Sequence, residues 1–185
     1  LIVNYIPEIF AFIQGRKRPS MVSVNLTDKC NQKCIYCEIG QGYRSTDKRR
    51  LTSDDLFWII DQMEMIGLKR LSMCGGEPFL FPGILDVIYY AYMKKIKSNI
   101  TSNGMTIHML KADQFDLLSQ CNTQINISID SFNNEIQSVT RGNKAALKNA
   151  IKSVEVLCKK QIRVTLLSTI SKYNCHDLFD SFLTA

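Results

Sequence analysis

The sequence lacks a long uninterrupted apolar run. Its longest apolar stretches, residues 1–13 and 84–93, are both interrupted by polar residues, whereas a membrane-spanning helix needs about 20 apolar residues in succession. No basic segment precedes an apolar one at the start, which argues against a secretory signal, and no internal repeat is visible. The first residue is Leu, so we expect the natural start to lie upstream.

What is present is typical of a soluble globular protein with a core of useful size. The chain has 185 residues, of which 45% are hydrophobic and 22% are charged. The net charge of +6 comes largely from basic runs at residues 16–18, 48–50 and 94–95. Such runs fit either solvated loops or a phosphate-rich partner such as RNA or a nucleotide. No aromatic residues interleave with them, which favours solvated loops and makes nucleic-acid binding the weaker alternative.

The seven cysteines are an odd number, and three of them fall within eight positions. Disulfides between such close neighbours would be strained, so this is a poor disulfide framework. The cysteine usage instead predicts a reducing cytoplasmic location and a bound metal. Cys121 and Cys158 lie at a helix end and on an apolar helical stripe, which predicts that both pack in the core.

Apolar strands alternate with amphipathic helices along the chain. Strands are predicted at 21–26, 68–74, 96–102, 125–130 and 162–168, and helices at 52–66, 84–92, 111–120, 132–139, 144–159 and from 177 onward. The helix at 52–66 has clear ends, because Thr52 and Asp55 resemble a capping box and Gly67 lies where a helix stops. A helix between each pair of strands forces parallel pairing. The fold class is therefore α/β.

Two strands alternate strictly between apolar and polar residues. In strand four, Ile125, Ile127 and Ile129 alternate with Asn126, Ser128 and Asp130, and strand one has the same pattern. A parallel strand covered by helices on both faces would be apolar on both sides. This pattern favours a part-barrel with a polar lumen over an open doubly wound sheet. Five strands do not close a barrel, so we expect the chain to be cut short.

Cys30, Cys34 and Cys37 lie on one short loop directly after strand one, at the sheet edge where parallel α/β folds place active sites. Common zinc sites combine one Cys-x-x-Cys pair with a distant second pair. Three thiolates on one loop suit an iron–sulfur cluster better, each binding one iron. The other cysteines do not extend the run, which leaves one iron free to bind a small molecule.

Gly75, Gly76 and Glu77, followed by Pro78, end strand two at the same edge. The glycines would let the backbone approach a ligand closely, and Glu77 could bind a cationic amine. The alternative is a tight strand-to-helix turn in which the proline starts the next element. Asp130, at the end of strand four, either contacts a substrate or caps the loop that follows.

Taken together, these motifs resemble the radical S-adenosylmethionine (radical SAM) superfamily. The cysteine motif has Tyr36 before its last cysteine, and Gly-Gly-Glu-Pro follows it. Further matches come in order at residues 101–104, 128–131 and 141–142, so the resemblance spans residues 21–175. It is greatest to the branch of molybdopterin-precursor synthases and peptide-modifying (SPASM-type) maturases.

The resemblance implies a [4Fe–4S] cluster on Cys30, Cys34 and Cys37, with S-adenosylmethionine bound to the fourth iron. It also implies that the following residues contact S-adenosylmethionine: Tyr36 at the adenine, Gly75, Gly76 and Glu77 at the amino group, and Asn103, Ser128 and Arg141 at the ribose or carboxylate. Reductive cleavage would give a 5′-deoxyadenosyl radical that abstracts hydrogen from a peptide or small metabolite, with a flavodoxin- or ferredoxin-type protein as reductant. A non-catalytic zinc or electron-transfer module is the rival interpretation.

The fold implied is a partial parallel (β/α)6 TIM-like barrel, of which this sequence contains about five strands. Residues 21–185 would form an incomplete radical SAM core, preceded by an N-terminal helical extension at residues 1–20.

Overall fold

The computed structural model describes residues 19–42 and 50–183. The predicted extension at residues 1–20 therefore lies almost wholly outside the described residues. The structure has five strands: β1 (Val22–Thr27), β2 (Arg70–Gly75), β3 (Lys97–Ser102), β4 (Gln124–Ser128) and β5 (Arg163–Leu167). Six α-helices are described: α1 (Ser53–Met65), α2 (Ile84–Met93), α3 (Ala112–Gln120), α4 (Asn134–Arg141), α5 (Ala146–Lys159) and α6 (Leu178–Leu183).

The strands form one parallel sheet in the order of the chain, β1-β2-β3-β4-β5. At least one helix connects each strand to the next, as parallel pairing requires. The sheet is open, because β1 and β5 are its edges and do not pair with each other. The α/β prediction with about five parallel strands is confirmed.

Helix α1 shows why these elements begin and end where they do. Thr52 and Asp55 form the predicted capping box, with the backbone N–H of Thr52 donating to Oδ2 of Asp55 at 2.8 Å. The helix buries Leu56 and Ile60 against the sheet. The chain then leaves the helix through Gly67, whose φ of +76° lies in the left-handed region that favours glycine.

The alternation in the strands separates the core from a polar face. Ile125, Ile127 and Ile129 are buried in the hydrophobic core, which also takes in the apolar sides of α1, α2, α3 and α5. The residues between them carry polar side chains, as they do in β1. One face of the sheet is therefore apolar and covered by helices, and the other is lined with hydrogen-bonding groups.

The two cysteines predicted to pack in the core differ in outcome. Cys121, at the C-terminal end of α3, is buried as predicted. Cys158 is exposed, so that prediction is wrong. The preceding residue, Leu157, packs in the core instead. No helix in the described part of the chain is long and apolar enough to cross a membrane.

Candidate active site

The loop that carries Cys30, Cys34 and Cys37 leaves the C-terminal end of β1. Cys34 is buried, at 8% exposure, while the other two thiols are partly buried, and all three are free. A tetrahedral zinc ion needs sulfur ligands about 3.8 Å apart. Among residues 19–42 and 50–183, no three His, Cys, Asp or Glu side chains are grouped to hold one metal ion.

The end of β2 supports the start of this cysteine loop. The backbone N–H of Gly76 donates to the carbonyl of Thr27 at 2.6 Å, and that of Glu77 donates to the carbonyl of Lys29 at 2.8 Å. A Cβ atom on Gly76 would lie 2.1 Å from the Lys29 oxygen, and one on Gly75 would lie 2.7 Å from the Thr27 oxygen. The two glycines thus allow close packing against the residues immediately before Cys30.

Two further glycines pack against the middle of the loop. A Cβ atom on Gly142, which follows α4 with a φ of +61°, would lie 2.2 Å from the carbonyl oxygen of Lys33. A Cβ atom on Gly40 would lie 2.7 Å from the backbone nitrogen of Cys34. The backbone N–H of Lys33 also donates to the carbonyl of Arg141 at 3.2 Å. Sequence reasoning missed the role of Gly40, because nothing in its local sequence shows which segment packs on it.

Glu77 is fully buried, and its carboxylate is used within the protein. It accepts hydrogen bonds from the backbone N–H of Phe79 at 3.1 Å, the hydroxyl of Ser102 at 2.8 Å and the backbone N–H of Asn103 at 2.8 Å. Burial raises the pKa of this carboxyl, and the three donors oppose that shift. The side chain ties the end of β2 to the end of β3.

Asn103 connects this turn to the cysteine loop. Its side-chain amide donates to Oδ1 of Asn31 at 2.7 Å and reaches Sγ of Cys30 at 3.8 Å. Burial raises the pKa of the Cys30 thiol, and the nearby charge of Glu77 adds to the effect, whereas the Asn103 bond opposes it. The predicted positions Cys30, Glu77 and Asn103 are thus brought together.

Tyr36, Asp130 and Arg141 form a second connected group. The Tyr36 hydroxyl donates to Oδ2 of Asp130 at 2.6 Å, and Nη2 of Arg141 lies 2.5 Å from Oδ1 of the same carboxylate. The Arg141 guanidinium also lies 5.6 Å from the centre of the Tyr36 ring. Burial raises the pKa of the Tyr36 phenol. It also raises the pKa of the Cys34 thiol, an effect that the Arg141 guanidinium beside it opposes.

Two buried N–H donors next to Cys34 find no acceptor within the described ranges. They are Nε2 of Gln32 and Nε of Arg141. The other amide atom of Gln32, Oε1, accepts a hydrogen bond from the Cys34 thiol at 3.7 Å. Buried donors without partners are uncommon in proteins and call for an acceptor. The sulfides of a cluster or the carboxylate of a bound ligand would supply one, so these residues fit such a group.

The polar face of the sheet extends away from this edge. Asn126 on β4 donates through its amide to Oδ1 of Asn99 at 2.9 Å and Oγ1 of Thr101 at 3.3 Å, both on β3. On the same face, towards the β1 edge of the sheet, the Cys74 thiol donates to Oδ1 of Asn25 at 3.0 Å. Around Asn126 the face therefore presents neutral hydrogen-bonding groups, whereas Arg70, Lys97 and Arg163 lie on the same face towards the start of the strands.

Ser128 is the last residue of β4 and continues the row of Asn126 on the polar face. It is partly buried and pairs in register with Leu167 of β5. Ser128 thus lies at the end of the polar face, two residues before Asp130.

The profile of the radical SAM superfamily matches residues 24–180 of this chain. The chain belongs to the radical SAM superfamily. Enzymes of this family use a [4Fe–4S] cluster together with S-adenosylmethionine. The three thiols and the two unpaired donors described above fit that pair of cofactors.

Several characterised proteins are similar to this chain. The AdoMet-dependent heme synthase of Methanosarcina barkeri is 27% identical over 165 residues, covering 89% of this chain and 46% of the relative. GTP 3′,8-cyclase of Limosilactobacillus fermentum is 29% identical, covering 86% and 48%. The sporulation killing factor maturation protein SkfB of Bacillus subtilis is 25% identical, covering 88% and 38%. The chain thus spans about half the length, or less, of these relatives.

Solved structures show the same fold. Streptococcus suis SuiB bound to S-adenosylmethionine superposes with a TM-score of 0.75 at 17% identity, covering 90% of this chain and 37% of SuiB. SuiB bound to its precursor peptide SuiA gives a TM-score of 0.76 at 16% identity, covering 98% and 40%. These neighbours confirm the predicted radical SAM part-barrel for the part of the chain that the structure describes.

Proposed function

We propose that this chain is the core of a radical SAM enzyme in which Cys30, Cys34 and Cys37 hold a [4Fe–4S] cluster. Three protein ligands for four irons leave one iron for the amino and carboxylate groups of S-adenosylmethionine. The observation that carries the proposal is the placement of these thiols on one loop, beside the unpaired buried donors of Gln32 and Arg141. A structural zinc site would need neither an open coordination position nor those donors.

The residues proposed to contact S-adenosylmethionine are Tyr36, Gly75, Gly76, Glu77, Asn103, Ser128 and Arg141. Tyr36 is 39% exposed, which leaves part of its ring free to pack against the adenine. The Glu77 carboxylate is fully enclosed, so it would shape the turn whose backbone meets the amino group. Nε of Arg141 is buried without a protein acceptor, and Asp130 occupies a different nitrogen of the guanidinium, so this N–H would be the donor for the carboxylate.

When bound, the cluster and S-adenosylmethionine together supply a 5′-deoxyadenosyl radical that takes a hydrogen atom from the substrate. The protein's own contribution is to hold the reacting groups in line and to exclude water. The polar face around Asn126 supplies neutral donors and acceptors for a polar substrate. A peptide or a small metabolite fits this face, and SkfB and the SuiB–SuiA complex make a peptide the first substrate to test.

Reduction of the cluster would come from a flavodoxin- or ferredoxin-type protein in a reducing, cytoplasmic environment. Cys158 and Cys175 are both exposed, so they are the thiols that such a setting would keep reduced. Exposed thiols of this kind persist where thiols are kept reduced.

The test is anaerobic reconstitution of the full-length protein, followed by reduction and assay of 5′-deoxyadenosine. We expect about four irons per chain and cleavage of S-adenosylmethionine. Cys34→Ala should lose both, whereas Cys158→Ala, which removes an exposed thiol on α5, should retain both. One zinc and no iron per chain would overturn the proposal in favour of a structural metal module.

A further inference from the structure

Asp130 receives hydrogen bonds from three separate segments of the chain. Its carboxylate accepts from the Tyr36 hydroxyl of the cysteine loop at 2.6 Å and from Arg141 at the end of α4 at 2.5 Å. It also accepts from the backbone N–H of Thr169, just after β5, at 2.9 Å. A carboxylate has about four acceptor positions, and most of them are used here.

The backbone of Asp130 also makes two hydrogen bonds to side chains. Its N–H donates to Oε1 of Gln137 at 2.8 Å, and its carbonyl accepts from the side-chain amide of Asn174 at 2.9 Å. The residue has 0% exposure. A side chain so enclosed does not touch a substrate, and its carboxylate partners lie outside the loop that follows β4.

Two of the partners of the Asp130 carboxylate, Tyr36 and Arg141, lie close to Cys34. Tyr36 follows Cys34 by two residues in the same loop. Arg141 lies beside the Cys34 sulfur, and its backbone carbonyl accepts a hydrogen bond from the N–H of Lys33 at 3.2 Å. Without the Asp130 charge, Arg141 would be a buried cation without its ion-pair partner, a state that favours rearrangement.

We propose that Asp130 is a positioning residue that orients Tyr36 and Arg141 and thereby keeps Cys34 enclosed in the geometry the cysteine loop needs. Asp130 would thus support the proposed cluster site without being one of its ligands. It concerns the loop itself, so it can be tested on iron-free protein whether or not the proposed cluster forms.

The test is Asp130→Asn, which keeps the shape of the side chain and removes its charge. The alkylation rate of each cysteine in the iron-free full chain is measured with iodoacetamide and peptide mass spectrometry. Cys34 and Cys121 are similarly buried, at 8% and 6% exposure. Cys121 is the control, because it lies at the end of α3 and not on the cysteine loop. We expect Cys34 to react about tenfold faster in the variant, as for local opening after loss of a charge-assisted hydrogen bond, with Cys121 unchanged.

Equal acceleration of Cys34 and Cys121 would show general destabilisation and overturn the proposal, as would no acceleration of either.

Tyr36→Phe is the second variant, since it removes one hydroxyl and keeps the buried ion pair. It decides the question if Asp130→Asn does not fold. It should accelerate Cys34 alone, by less than Asp130→Asn does. The double variant should be non-additive, because both changes alter the same contact between Tyr36 and residue 130. Additive effects would contradict the proposal.

Discussion

Replacing Gly142 by Ala should release the cysteine loop and lower iron binding. The added Cβ would lie 2.2 Å from the carbonyl oxygen of Lys33, which is 0.8 Å closer than the 3.0 Å below which something must shift. Backbone atoms surround this position, so either α4 or the loop must move. We expect a loss of stability of about 1–2 kcal/mol from the left-handed conformation and a further ~1–3 kcal/mol from overpacking.

Gly67→Ala is a matched control for this change. Gly67 also follows a helix and has a φ of +76°, but a Cβ there would meet nothing within 4 Å. It should therefore lose only the conformational part, about 1–2 kcal/mol, and keep its iron. Urea unfolding of iron-free protein and iron content after reconstitution measure the two effects separately. If Gly142→Ala bound as much iron as Gly67→Ala, the close contact with Lys33 would not position the loop.

Two more changes test the supports of the loop. Gly40→Ala should lower iron content with no conformational penalty, because Gly40 has no positive φ and its added Cβ would lie 2.7 Å from the backbone nitrogen of Cys34; normal iron content would contradict this. Glu77→Gln should lower the free energy of unfolding by about 1–3 kcal/mol, since an amide N–H₂ facing the N–H of Asn103 leaves a buried donor unsatisfied. Urea denaturation measures that loss, and a variant as stable as the parent would refute the assigned hydrogen bond.

Local pattern was enough to predict the elements and their pairing. The capping box of Thr52 and Asp55 and the alternation through Ile125, Ile127 and Ile129 are short-range signals. Each depends only on helix or strand periodicity, and the structure confirms them. The polar face followed from the same alternation, because successive strand residues point to opposite sides of a sheet.

The roles of individual buried side chains could not be predicted in this way. The contact of Glu77 with a ligand amine stays a prediction, but local sequence did not show that its carboxylate is fully enclosed, with donors from the end of β3. Cys158 was expected in the core and is exposed. The cause in both cases is that burial depends on which segment packs against the residue, and that segment is distant in the chain.

By itself, the sequence determined the family, the α/β order of elements and the loop on which three thiols lie together, because each is encoded in residue type and local spacing. Only the tertiary structure showed what holds that loop: Gly142 packed on Lys33, and Asp130 joined to Tyr36 and Arg141. Asp130 is separated from Tyr36 by 94 positions. Contacts between residues so far apart in the sequence form only when the strands align at one edge of the sheet. They therefore cannot be predicted from local sequence patterns.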